Sequence, residues 1–218
     1  MPARLQFLLL ALLCGSLGTI GKAQAQARSW LPPQVARAAV EQLTERMGLL
    51  DGLFGGGEPD LERLRAGSRM LIGSMAESVE GWGADGVVER APELAGLGLG
   101  VAPNPYLDAM ARYHVCNLVL MLQLDNPAYQ DDANRRITST LGLSAVAIVA
   151  IYLRQPFIES GGDNAAIEAH LTGPSFAQVF QAVQAGGKAL EQAETECQPV
   201  VVALLEQPLA LLAQEPAP

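Results

Sequence analysis

The sequence predicts an all-α fold, a single-domain multi-helix bundle with a buried central apolar helix, following a cleaved signal peptide. Apolar residues return at three- and four-residue intervals through most of the chain, no stretch keeps a two-residue alternation for long, and residues 137–153 carry no charge at all. The β-branched cluster at 200–202 is too brief to argue for a strand, and no repeat of fixed length points to a solenoid.

The first 27 residues read as the leader. Arg4 gives a positive start, residues 7–13 form an apolar core too short to span a bilayer, and Ala23, Ala25 and Ala27 supply small residues for cleavage. Cys14 follows Leu13, where a lipobox needs a small residue, so it leaves with the leader. Of 218 residues 191 remain, enough for one sizeable core, with the domain expected over 28–213 and a Pro-rich disordered tail over 214–218. This places the mature chain in the periplasm or outside the cell.

Helix by helix, Pro33 opens a segment in which Val35, Ala39, Leu43, Met47 and Leu50 share a face, and the glycine-rich 52–57 ends it. Pro59 and Asp60 open the next, with Leu61, Leu64, Leu71, Met75 and Val79 inward, stopping in the glycines of 81–86. Prolines and glycines up to Pro105 allow a short helix over 88–97 inside a long linker. A further helix covers 106–124, and Asp125, Asn126 and Pro127 stop it and start the next, so the segment reaching Leu153 folds back antiparallel. Pro156, Gly161 and Gly162 break the chain, and Asp163 caps a short helix to Leu171. Ser175 and Gln178 have the spacing of a capping box for a helix with Phe176, Val179, Phe180, Val183 and Leu190 inward, interrupted by Pro199. The last helix covers 200–212.

The run 137–153 is at the lower edge of transmembrane length, and topology argues against a span. After a cleaved leader, a span would leave Arg135 and Arg136 outside and an acid-rich segment inside, the reverse of the positive-inside pattern. It would also separate Cys116 from Cys197. Those two are the only cysteines after the leader, and in an oxidising compartment an isolated pair without C-x-x-C spacing reads as a disulfide. No stable transmembrane anchor is expected.

Charge restricts the partners. Arg4 and Lys22 leave with the leader, so 12 basic residues face 23 acidic ones and the net charge moves from −9 to −11. A nucleic acid or a strongly anionic surface needs the opposite sign. Acidity that serves solubility alone is the simpler reading.

Catalytic and metal-binding patterns are sparse. His114 and Cys116 are two apart and point to different sides of a helix, Met110 and Met121 flank His114 without completing a coordination sphere, and Glu168 with His170 has no zincin spacing. Gly142 and Ser144 imitate half of a nucleophile elbow inside a helix, where the strained turn cannot form. The acid pairs Asp131–Asp132 and Glu41–Glu45 fit a helix start and a solvated face, and the glycines of 96–100 follow a helix instead of a strand. No catalytic, metal or cofactor residue is assigned.

The linkers and the few aromatics remain. Trp30, Phe54, Trp82 and Tyr106 lie in or beside the irregular stretches, where exposure would make them anchors for a partner and burial would make them seals for the bundle ends. The preferred reading is an exported helical protein that binds another envelope or secreted protein as adaptor, assembly factor, inhibitor or immunity protein. A carrier of apolar molecules and a hydrolase of envelope polymers using paired carboxylates are the alternatives.

Overall fold

The computed structural model describes residues 30, 31, 35, 61–94, 96–126 and 133–213. The leader, the tail, Phe54, Pro127, the acid pairs at 41/45 and 131/132, and most of the expected first helix lie outside them. Among the described residues there are six helices and no strand: α1 (Leu61–Glu89), α2 (Pro105–Asp125), α3 (Ala133–Glu159), α4 (Asn164–Leu171), α5 (Pro174–Gln184) and α6 (Lys188–Ala213). The fold is all-α.

α2 is the helix enclosed round its circumference. Ala109, Met110, Ala111, Val115, Cys116 and Leu118 are all buried and between them point to every side, which small side chains allow because neighbouring backbones can come close. Asn104 caps it, its Oδ1 accepting from the backbone N–H of Tyr106 at 2.9 Å and Leu107 at 3.3 Å, with Pro105 in the first turn. Asn126 then leaves the helix with an extended backbone, as the stop signal there predicts.

α3 lies antiparallel along α2. Ser139 near its start donates to the side chain of Gln123, while Ser160 just past its end accepts from the Asn104 side chain. Its inner side, with Leu141, Ala145, Val146, Val149 and Leu153, is buried, but Ile151 on the other side is 59% exposed. The stretch Arg135–Glu159 is long and apolar enough to cross a membrane by length and composition, and half of its most apolar window is buried within the protein. The expectation of a helix enclosed on all sides therefore describes α2 better than α3.

α1 runs antiparallel to α6, since Ser78 donates to Gln207 at 2.9 Å whereas Leu94, beyond the end of α1, donates its N–H to Glu196. Leu71, Met75 and Val79 form the predicted inward row. Contrary to expectation, the glycines of 81–86 do not end α1. Only Gly83 leaves helical geometry, at φ 68°, ψ 168°, a conformation that costs glycine little, and the helix resumes to Glu89. No helix forms over 88–97 beyond that point. The chain instead turns at 96–98 and is held down: Arg112 donates to the carbonyls of Pro92 and Glu93, and Leu94 is 2% exposed. The long linker is thus packed on the bundle.

Two further corrections concern the C-terminal part. Pro174 occupies the first turn of α5 and Gly173 the cap position, so Ser175 lies two residues too far in to cap, and no side-chain cap bond forms. Asp163 does cap α4, accepting from the Ala166 N–H at 2.7 Å. Pro199 does not interrupt the last helix, because α6 continues through both Pro199 and Pro208; the break falls earlier, at Gly186 and Gly187, both with positive φ. Pro199 and Thr195 are exposed, so the carbonyl that loses its helical partner is open to water.

Cys116 and Cys197 form a disulfide between α2 and α6, closing a separation of 81 residues. One turn further along both helices, Gly142 of α3 occupies a slot with no room for more: a β-carbon there would stand 2.9 Å from Val201 Cγ1 and 3.1 Å from Leu120 Cδ2. Replacing both cysteines with serine is expected to lower the unfolding free energy by about 4 to 5 kcal/mol in denaturant titration, the size of the chain-entropy effect for such a loop. Gly142→Ala is expected to cost about 1 to 3 kcal/mol in the same measurement, since overpacking outweighs any gain in helix propensity.

Candidate functional site

Of the four aromatics, two are tied to the last part of α1: Trp82 through Arg90, and Tyr106 through Asp85. Trp82 is the last helical residue before the Gly83 jog in α1, half-buried against the core, and the Arg90 guanidinium lies 4.8 Å above its ring. Arg90 is held there by its bond to the Gly86 carbonyl at 2.9 Å, so the cation and the ring face form a preset pair. Tyr106, in the first turn of α2, donates its hydroxyl to Asp85 at 3.3 Å, three residues beyond Trp82. The Asp85 charge, with some burial, the hydrogen bond and the charge of Glu159 behind it, holds the Tyr106 hydroxyl above the usual tyrosine range.

The elements around them fix this arrangement. Asn104 caps α2 and at the same time donates to Ser160 at 2.7 Å, tying the start of α2 to the end of α3. Asp108 accepts from the Ala102 N–H at 3.1 Å and pairs with Arg112 at 2.8 Å, so the segment entering α2 is clamped from both sides. Between those anchors Val101 is 79% exposed, the highest value among the described large apolar residues that stand out from the surface. The stretch where α1 leaves and α2 begins thus carries Trp82, Arg90, Val101 and Tyr106, with Asp85 holding the Tyr106 hydroxyl.

Trp30 is elsewhere in its role. It is 6% exposed and Leu31 2%, and the Trp30 carbonyl accepts from Gln198 on α6 at 3.4 Å, so its ring is part of the core. Phe54 lies outside the described residues. Ser144 spends its hydroxyl on the Thr140 carbonyl at 3.1 Å, one turn back. Met110 is in the core, and among the described residues no group of three or more His, Cys, Asp or Glu lies close enough to hold a metal ion.

Two half-buried titratable groups lie away from this end, and nothing in the sequence singled out the second. His114, on α2, has its pKa lowered to about 4 by desolvation, so it is neutral through the physiological range. Glu194 on α6 is pushed above the usual carboxylate range by burial, against which the hydrogen bond from Gln123 at 3.3 Å works, while Glu191 adds to the rise. Gln123 also accepts from Ser139 at 3.1 Å, and both are buried, so a short polar chain links α6, α2 and α3. Tyr113 completes the inner polar set by donating to the Val87 carbonyl at 3.0 Å.

The two groups act oppositely on stability in acid. Unfolded His114 takes up a proton near its ordinary value of 6.5 and the folded state resists until about 4, so stability falls as pH drops through that window, by about 3 kcal/mol in total. Glu194 binds its proton more tightly when folded, so its contribution rises as pH falls. The larger shift of His114 is expected to dominate. Chemical denaturation at stepped pH should therefore show a loss between pH 6.5 and 4 that His114→Leu largely removes, and Glu194→Gln should raise stability at neutral pH.

Comparison with known proteins finds no family model, no curated protein and no solved structure that matches this chain.

Proposed function

We propose that the chain is exported to the periplasm or beyond, loses residues 1–27, and serves there as a protein-binding module whose contact surface is the bundle end around Trp82 and Tyr106. The mature form is a water-dissolved single domain over 28–213, with α3 a core helix instead of a bilayer span. The leader pattern and the disulfide support the compartment. The observation that carries the binding role is the Trp82–Arg90 pair on the same stretch of α1 whose Asp85 holds Tyr106, the three residue types most enriched among binding hot spots, with Val101 exposed five residues before Tyr106. The partner is another envelope or secreted protein, contacted by rings that are already held in place and so lose little freedom on binding.

A photo-crosslinking residue installed at Val101 in the producing cell tests this. One defined protein adduct is expected there and none at the exposed Gln181 on α5, which serves as the control. Trp82→Ala should lower the adduct yield at limiting partner by roughly thirtyfold, the effect of losing about 2 kcal/mol at a hot spot. Equal adducts at Val101 and Gln181, or a yield indifferent to Trp82, would contradict the reading.

A further inference from the structure

Just after α1 the bundle grips the chain by its backbone. Arg112 on α2 donates to two successive carbonyls, Pro92 at 3.3 Å and Glu93 at 3.2 Å, and Glu196 on α6 accepts the next N–H, that of Leu94. Side chains alternate along the same three residues: Pro92 and Leu94 are buried and Glu93 between them is exposed. Main-chain bonds for affinity and inward pockets for alternate side chains are the means by which proteins bind an extended peptide of a partner. Here the peptide is the chain's own.

The groove is independent of the segment that fills it. Arg112 stands one turn before Cys116 and Glu196 directly before Cys197, so the disulfide fixes the spacing of the two helices that carry them. Each charged group is held as well. Arg112 Nε pairs with Asp108 at 2.8 Å, and the second carboxylate oxygen of Glu196 accepts from Gln192 at 2.9 Å. Leu94, by contrast, has φ 49°, the one left-handed non-glycine among the described residues, yet it is 2% exposed. A leucine kept there against its backbone preference puts the weight of the contact on its side chain, and the strain belongs to the segment and not to the groove.

We propose that Pro92–Leu94 is a captive ligand, and that the groove between Arg112 of α2 and Glu196 of α6 is a peptide-binding site that receives a Pro-x-Leu segment of another protein when the chain's own segment is displaced. The occupant in place defines the chemistry: two free carbonyls, a free N–H at the leucine, and apolar side chains two residues apart. The site does not depend on the contact surface around Trp82 and Tyr106, and its binding is measured without a natural partner.

The probe is a peptide with the sequence of residues 89–94, fluorescein at its amino end and an amide at the other, titrated with the full chain and read by anisotropy. In the wild type the captive segment competes at an effective concentration on the order of millimolar. In Leu94→Asp a buried carboxylate drives that segment out, and the peptide should bind about tenfold tighter or more. Replacing the leucine of the peptide with serine, or adding Arg112→Met to Leu94→Asp, should each remove that gain. The proposal is overturned if Leu94→Asp, with helical circular dichroism and an intact disulfide, binds the peptide no better than wild type, or if binding ignores the peptide leucine. A wild-type dimer that Leu94→Asp dissociates, without peptide binding, would assign the groove to a second copy and equally overturn it. Hydrogen exchange on the wild type keeps the test decisive should the variant unfold. The Leu94 amide should exchange at least about a hundredfold faster than that of Val119 in the middle of α2, because the segment leaves while the bundle stays closed. Equal protection at the two positions would mean that the groove opens only on global unfolding, and the proposal would fall.

Discussion

Three helices meet within one turn of a covalent link, and the rest of the bundle is arranged around that meeting. Cys116 and Cys197 join α2 to α6, and four residues on along each helix Leu120 and Val201 close over Gly142 of α3. The disulfide limits how far α2 and α6 can separate; Gly142 sets how closely α3 can approach both. Neither would be effective alone, since a bond without close packing leaves a gap, and a gap in a core forfeits dispersion contacts on both sides. α2, and not α3, is the enclosed member because α1, α3, α4, α5 and α6 all pack against it.

This arrangement explains where the unusual surface features are found. With α2 inside, α3 has one side against it and one side outward, so a helix apolar enough to be buried all round is left with uncovered apolar residues. At the end of the bundle the reverse holds: few core contacts are available, and position depends on polar ties such as Asn104 to Ser160 and Tyr106 to Asp85. Aromatic side chains there are held by directional bonds without being sealed in, and they keep exposed surface while losing mobility.

Much of the architecture was legible from local signals. The 3.6-residue periodicity marked the helices, Asp125 and Asn126 marked the turn after α2, Asp163 marked the start of α4, and two isolated cysteines implied their own pairing. Misreadings arose where a local signal has two outcomes decided by surroundings. Proline lacks an N–H, but on the exposed side of α6 the carbonyl orphaned by Pro199 is solvated, so Pro199 stays inside the helix. The glycines of 81–86 could end a helix or sit within one, and the packing of Val79 and Val87 on the core carries α1 across them. Of the site, the residue types were visible and their association was not. Asp85 and Tyr106 are 21 positions apart in sequence, and only the reversal of the chain between α1 and α2 brings them into contact. The Glu194, Gln123 and Ser139 chain had no sequence signal, since each residue type is ordinary and only their meeting across three helices makes them distinctive.

The position of the crosslink also constrains how the molecule comes into being. A chain that emerges amino-terminus first presents Cys116 while its mate is still 81 residues behind. Until then α2 can have α1 and α3 beside it but not α6, and the side that α6 covers in the finished fold faces water. The thiol at position 116 must therefore stay unreacted, and the helix that carries it unaggregated, through the synthesis or passage of more than a third of the sequence. Closure of α6 over α2 is late, which makes transient protection of that side of α2 a requirement of biogenesis as much as of final stability.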